Sequence, residues 1–228
     1  MSIVREILSQ KIPLWRAEIS ELIKQHGDKV ISEVTIKQLY GGARDVRTLW
    51  CDTSNVPADT GLIIRGRKLD EVKYLSPEEI YFLLLTGDIP NLEELKEFRN
   101  DLMVRKQVPG YVWDVIKSLP QDMHPMTIFM TAIASMQRES MFVQEYSQGI
   151  KKENYWKPML EDSLSLVAKL PSIASAIYRM RFHKGDIRYP KPNNDFSKDF
   201  VQMMGIDNEE FYELIKLYFT IHCDHEDK

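Results

Sequence analysis

The chain has 228 residues, enough to bury a sizeable core in one large domain or two small ones. Thirty Lys and Arg against 34 Asp and Glu leave a net charge of −4, which together with 43% hydrophobic residues excludes a disordered chain. No face-long basic run points to nucleic acid, and no apolar stretch approaches the ~20 residues of a membrane span.

The two cysteines, Cys51 and Cys223, are far apart and belong to no pairing motif, as in a reducing compartment. The N-terminus does not read as a secretory signal, and Glu6, Glu18 and Glu21 do not fit an attached transit peptide. The expectation is a soluble intracellular protein, either cytoplasmic in a bacterium or mitochondrial after removal of a transit peptide.

Ile3 to His26 reads as helix broken at Pro13, with Trp15, Ile19, Leu22 and Ile23 on its apolar face and Gly27 as its cap. Lys29 to Ile36 alternates loosely (Val30, Ser32, Val34, Ile36), a strand signal. A tight turn, Tyr40-Gly41-Gly42-Ala43-Arg44, follows. Thr48 to Thr53 and Gly61 to Arg65 are β-prone runs separated by Asn55 to Thr60, which predicts a hairpin.

Beyond Arg67 helix follows helix. Ser76-Pro77-Glu78-Glu79 is a capping box with proline at the first helical position, and Gly87 closes that helix. Asn91-Leu92-Glu93-Glu94 opens the next, to about Gln107. Tyr111 to Ser118 is a short helix, and Pro125 to Gln137 carries a Met126, Phe129, Met130, Ile133, Met136 stripe opposite small Ala132, Ala134 and Ser135. Lys151 to Leu170 and Pro171 to Phe182 form a long helix or a bent pair, and Ala168, Ala174, Ser175 and Ala176 leave room for another backbone. His183 to Asn194 is a loop, and Ser197 to Met204 a helix capped by Gly205.

The last helix opens at Asn208-Glu209-Glu210 and carries Phe211, Leu214, Ile215 and Tyr218 at helical spacing. Continued at 3.6 residues per turn, that stripe reaches His222 and His225 and predicts that both imidazoles point inward. His222 alone can be read as a core histidine with one satisfied nitrogen. A metal reading lacks ligands, because His222 and His225 supply two where a catalytic zinc normally takes three, and His26, His124 and His183 are isolated. The pattern so far is mainly α, with a small β hairpin near the N-terminus. It contains no repeat, phosphate loop or nucleophile motif.

Several short stretches, taken together in order, resemble the citrate synthase family, in its eukaryotic-like branch. They are Gln25-His26-Gly27, Tyr40 to Arg44, Ile64-Arg65-Gly66, Leu85 to Pro90, Met123-His124-Pro125-Met126, Tyr146 to Ile150, Tyr155-Trp156, Glu161-Asp162-Ser163, Ala168 to Pro171 and Tyr218 to Glu226. The resemblance implies a citrate-synthase-like multi-helical domain. It places residues 1–228 in the N-terminal part of the family's large domain, with the small domain and the rest of the active site outside this chain.

The resemblance also implies an acyltransferase that condenses acetyl-CoA with oxaloacetate to citrate and CoA, in the tricarboxylic acid cycle. No permanent cofactor or metal is implied, since acetyl-CoA and CoA are substrate and product. His225 matches the catalytic histidine that hydrogen-bonds the oxaloacetate carbonyl oxygen, with His222 beside it at the substrate, and Arg44 and Lys152 match positions that contact coenzyme A phosphates. At Lys152 the family has arginine, so the charge is kept and the bidentate fork is not. The implied partner is a second copy, paired through Pro125 to Gln137 and Lys152 to Phe182, with no nucleic acid and no membrane. The chain alone is expected to be inactive. A 2-methylcitrate synthase using propionyl-CoA and a non-catalytic dimerising helical paralogue are the alternative readings.

Overall fold

In the computed structural model, residues 2–43, 46, 50–191 and 194–224 are described. The architecture is mainly α, as expected. Helix α1 (Ile3–His26) runs unbroken through Pro13. The proline costs one i→i−4 hydrogen bond, and the 24-residue helix around it persists. Its first four turns are held: Val4 and Leu8 are buried and Ile12 and Trp15 pack against the same core, while Ile19 and Ile23 of the expected apolar face are exposed.

The alternating run from Lys29 forms no strand. Val30 and Ile31 are 76% and 73% exposed, with no strand beside them among the described residues to complete a ladder. Thr35 instead caps the short helix α2 (Ile36–Tyr40) in a capping box with Gln38.

The hairpin exists with shifted bounds. Strand β1 (Ser54–Asn55) pairs antiparallel with β2 (Ile63–Ile64), which pairs antiparallel with a third strand the sequence reading lacked, β3 (Arg67–Lys68). Thr48 and Leu49, where the first strand was expected, lie outside the described residues. Arg65 and Gly66 connect β2 to β3 with φ of 47° and 77°, the two positive values that a tight twisted hairpin turn requires. Arg65 is held there by its guanidinium, which donates to the Leu84 carbonyl and pairs with Asp52 at 2.9 Å.

The helical body follows as α3 (Leu69–Val72), α4 (Pro77–Thr86), α5 (Leu92–Arg105), α6 (Gly110–Ser118), α7 (Pro125–Ser135), α8 (Met141–Ser147), α9 (Trp156–Arg181), α10 (Phe196–Met204) and α11 (Glu209–Ile221). The capping boxes at Ser76 and Asn91 form as their sequences specify. Helix α8 was not expected. Its end is fixed by a distant carboxylate, Asp162, which accepts from the Ser140 hydroxyl and the Met141 and Phe142 amides, so its short sequence carries little signal of its own.

Helix α9 is one helix, with Pro171 buried inside it, and it joins two cores. Its first half (Leu160, Leu164, Ala168) packs with Val4, Leu8, Phe82, Phe98 and Leu102. Its second half (Ile173, Ile177) packs with Val112, Ile116, Ile128 and Ala132. A third cluster, Ile64, Val72, Ile80 and Leu83, sets the small sheet on α4. Ser172, Ser175 and Ala176 are buried where α10 approaches, which accounts for their small size. Arg179 ends this contact: buried itself, it donates to the Asp186, Lys184 and Met204 carbonyls. A Cβ at Gly205 (φ 92°) would stand 2.6 Å from its Nη1, so glycine is required on both steric and conformational grounds.

Candidate active site at the end of the last helix

Asn208 caps α11 by accepting from the Phe211 amide at 2.7 Å, and Glu209 and Glu210 fill the first turn. The face turned to the body is one step away from the expected stripe. Leu214 and Tyr218 are exposed, while Tyr212, Ile215, Phe219 and Thr220 face inward. Two anchors explain the rotation. The Tyr212 hydroxyl donates to Asp195, the residue that caps α10, and Phe219 packs its ring edge-on to Phe196 (5.6 Å) and tilted against Phe200 (5.6 Å). Continued one turn, this face arrives at Cys223.

Helix α11 therefore ends at Ile221, and His222 is its exposed C-cap, correcting the expectation of an inward imidazole. The ring stacks on Tyr218 at 4.1 Å, with Nδ1 2.9 Å from the Tyr218 carbonyl oxygen. A carbonyl only accepts, so in this contact Nδ1–H is the donor. Cys223 instead takes the inward position, against the Ile64, Val72, Ile80 and Leu83 cluster. Burial, helped by the neighbouring Asp224 carboxylate, pushes its thiol up to about 11. One Asp224 oxygen is buried without a hydrogen-bond partner among the described residues.

His225, the residue singled out for catalysis, lies outside the described residues, as does Arg44. Lys152 sits in the 3₁₀ turn Lys152–Asn154, solvent-exposed, and its side chain has no hydrogen-bond or ion-pair partner among the described residues. The described part of the site is thus the terminal turn of α11, with an accessible imidazole, a protonated thiol below it and a carboxylate next in line. Among the described residues no group of three His, Cys, Asp or Glu side chains is placed to hold a metal, and no helix is long and apolar enough to cross a membrane.

Beneath this turn is a cavity of about 300 Å³, walled mainly by apolar side chains of α4, with one each from α5, α9, α10 and α11, and reaching His222 and Cys223. Its polar wall includes Glu78, a residue read from sequence only as part of a capping box. The signal for a further role was weak: Glu79, not Glu78, closes the box on Ser76.

A multi-helical body with a small antiparallel sheet, and a His222-Cys223-Asp224 turn closing its last helix, defines the class. A family model for "Citrate synthase, C-terminal domain" matches residues 42–227. The chain is 39% identical to the mitochondrial citrate synthase of Saccharomyces cerevisiae, over 98% of its own length and 49% of that protein's. It is 36% identical to the same yeast's peroxisomal citrate synthase, over 98% of this chain and 51% of the relative. Among solved structures, citrate synthase from Pyrobaculum aerophilum superimposes with a TM-score of 0.74 at 26% identity, over 82% of this chain and 47% of that one. A ternary complex of the Thermoplasma acidophilum enzyme with carboxymethyl coenzyme A and oxaloacetate shares the fold (TM-score 0.70, 19% identity, 86% of this chain and 49% of that one). The chain belongs to the citrate synthase family. It spans about half the length of the curated relatives it matches.

Proposed function

We propose that this chain supplies part of the active site of a citrate synthase, an acyltransferase joining the methyl carbon of acetyl-CoA to the ketone carbon of oxaloacetate. The observation that carries the reading is the match at 39% identity over 98% of the chain to a named citrate synthase, together with a family match over residues 42–227 that includes His222-Cys223-Asp224-His225. In this reaction a carboxylate removes a methyl proton from the thioester, the enol attacks the ketone carbon, and water then cleaves the citryl thioester to release CoA thiol. Negative charge develops on the ketone oxygen, and a fixed N–H donor there is worth far more than one that must reorganise.

His225 is assigned that donor role and His222 a place beside the substrate. Arg44 and Lys152 are assigned to coenzyme A phosphates, and the exposed Lys152 ammonium, without a partner among the described residues, suits a phosphate contact. The base carboxylate and the histidine supporting the enol are not assigned to any residue of this chain. A second copy is proposed to pair through α7 and the 152–182 segment, where Met126, Met130 and Met159 are exposed.

The test is CoA thiol release from acetyl-CoA, measured for residues 1–228 and for a polypeptide continued to the length of the relatives. Oxaloacetate-dependent turnover by the longer polypeptide and none by the chain alone is expected. No thiol release from the longer polypeptide would refute the reading, and a clear preference for propionyl-CoA would move it to 2-methylcitrate synthesis.

A further inference from the structure

The N-terminus of α10 is held by two carboxylates from different directions. Asp195, its own cap, accepts from the Lys198 amide at 2.9 Å. Glu78, on α4 and far away in sequence, accepts from the Phe196 amide at 2.9 Å. Both satisfy amides that a helix leaves without partners, at the end where its dipole favours negative charge. Glu78 is only 6% exposed. Its counter-charge is loose: Arg99 Nε stands 3.7 Å away, and that guanidinium also donates to the Ser76 hydroxyl at 3.1 Å.

The other oxygen, Glu78 Oε2, has no hydrogen-bond partner among the described residues. A buried carboxylate oxygen left unpaired is costly, and persists where the rest of the group is held for another reason. That reason is visible on the far side of the Phe196 amide. The Phe196 ring meets Phe219 edge-on at 5.6 Å, and Phe219 lies one turn before Cys223 on the inward face of α11. The cavity of about 300 Å³ between these groups has Glu78, Ile80, Leu84, Phe196 and Phe219 in its walls and the His222–Cys223 turn at one end. The terminal turn therefore rests partly over a space that apolar packing does not fill, supported on one side by Cys223 against the Ile64, Val72, Ile80 and Leu83 cluster and on the other by the Phe196–Phe219 contact behind which Glu78 stands.

Building on the function proposed above, we infer that Glu78 is a positioning residue for the site-bearing terminus of α11. By holding the Phe196 amide, its carboxylate fixes the Phe196–Phe219 contact and with it the place where the His222–Asp224 turn ends. Glu78 touches no reacting group. It acts through an acceptor oxygen, which glutamine can replace and leucine cannot. Phe219→Leu cuts the same linkage one step further on, without disturbing the carboxylate.

The test uses the 228-residue chain and reads the alkylation rate of Cys223 by iodoacetamide, with Cys51 as the internal reference and peptide mass spectrometry to separate the two thiols. Glu78→Leu and Phe219→Leu should each speed Cys223 alkylation about ten-fold with helix content intact, as local opening at the terminus becomes easier. Glu78→Gln should stay within about two-fold of the unsubstituted chain. Unchanged Cys223 protection in folded Glu78→Leu, or Gln as damaging as Leu, would overturn the inference. Should Glu78→Leu fail to fold, unchanged protection in folded Phe219→Leu would overturn it equally.

In a polypeptide of the relatives' length, Glu78→Leu should raise the KM for oxaloacetate several-fold and leave that for acetyl-CoA unchanged. Equal changes in both would mark Glu78 as a general structural residue and overturn the inference. Absence of turnover in the unsubstituted polypeptide would refute the condensation reading instead and leave the alkylation arm to decide this one.

Discussion

Helices α9 and α11 both pack against α10, yet eleven residues of α9 are buried and only Thr220 of α11 is. Helix α9 is a scaffold: its two halves close two separate cores, and its polar residues are tied to distant partners, Glu161 to Arg105 at 2.7 Å and Asp162 to the start of α8. Helix α11 is attached at intervals, by Tyr212 at its base, Phe219 midway and Cys223 beyond its end, with Leu214, Leu217, Tyr218 and Ile221 exposed between. Few buried apolar contacts mean a low free energy of local opening. The stable helix carries the fold, and the helix that presents the candidate site is the lightly held one.

This contrast should break first in the scaffold. Leu164 is fully buried in the core of α9, and Leu164→Ala should cost about 3 kcal/mol through lost transfer energy and the cavity left behind. Urea denaturation followed by circular dichroism measures it, and a loss below ~1 kcal/mol would mean that α9 is not the scaffold described. Tyr212→Phe removes the base attachment of α11 and should cost about 1 kcal/mol, the net worth of one partly exposed hydrogen bond to a carboxylate. Amide exchange should show that loss concentrated in α11, with α9 unaffected.

Alkaline pH should loosen the same helix. The Cys223 thiol is raised to about 11, chiefly by burial, and the Tyr212 phenol is raised as well, by burial and its bond to Asp195. Both folded-state values lie above their unfolded ones, so between them the folded chain binds more protons than the unfolded chain. The stability that Cys223 provides is fully present below about pH 9 and is lost as pH rises toward 11, and that of Tyr212, whose ordinary value is 10, is lost at higher pH still. Cys223→Ser should flatten the Cys223 part of that decline in a pH series of thermal melts, and an unchanged slope would contradict its inward placement. The smallest effect belongs to Leu214→Ala, at a position 58% exposed: within about 0.5 kcal/mol of the unsubstituted chain in the same urea experiment.

What the sequence disclosed follows the same division. Ser76-Pro77-Glu78-Glu79 and Asn91-Leu92-Glu93-Glu94 announce helix starts because cap and carboxylate are neighbours in the chain, and both boxes form. The α8 start was hidden because its carboxylate, Asp162, comes from another helix. Val30, Ser32, Val34 and Ile36 alternate like a strand but have no strand to pair with among the described residues. On α11, Leu214 and Tyr218 are as hydrophobic as a core stripe, so composition alone misplaced the inward face by one residue. The contacts that decide it, Tyr212 to Asp195 and Phe219 to Phe196, are tertiary. Of the candidate site, the HCDH segment was legible through its family resemblance, and His222 was expected inward where Cys223 lies. Glu78 carried no signal, since its role rests on the distant Phe196 amide.

The proposed role of His225 as donor to the oxaloacetate carbonyl is tested most directly by His225→Ala. In a polypeptide of the relatives' length, kcat for oxaloacetate-dependent thiol release should fall ~10²–10³-fold, the usual effect of deleting one preorganised donor to a developing oxyanion, with helix content unchanged by circular dichroism. Near-normal turnover by a folded His225→Ala polypeptide would contradict the claim and return His225 to an ordinary structural histidine.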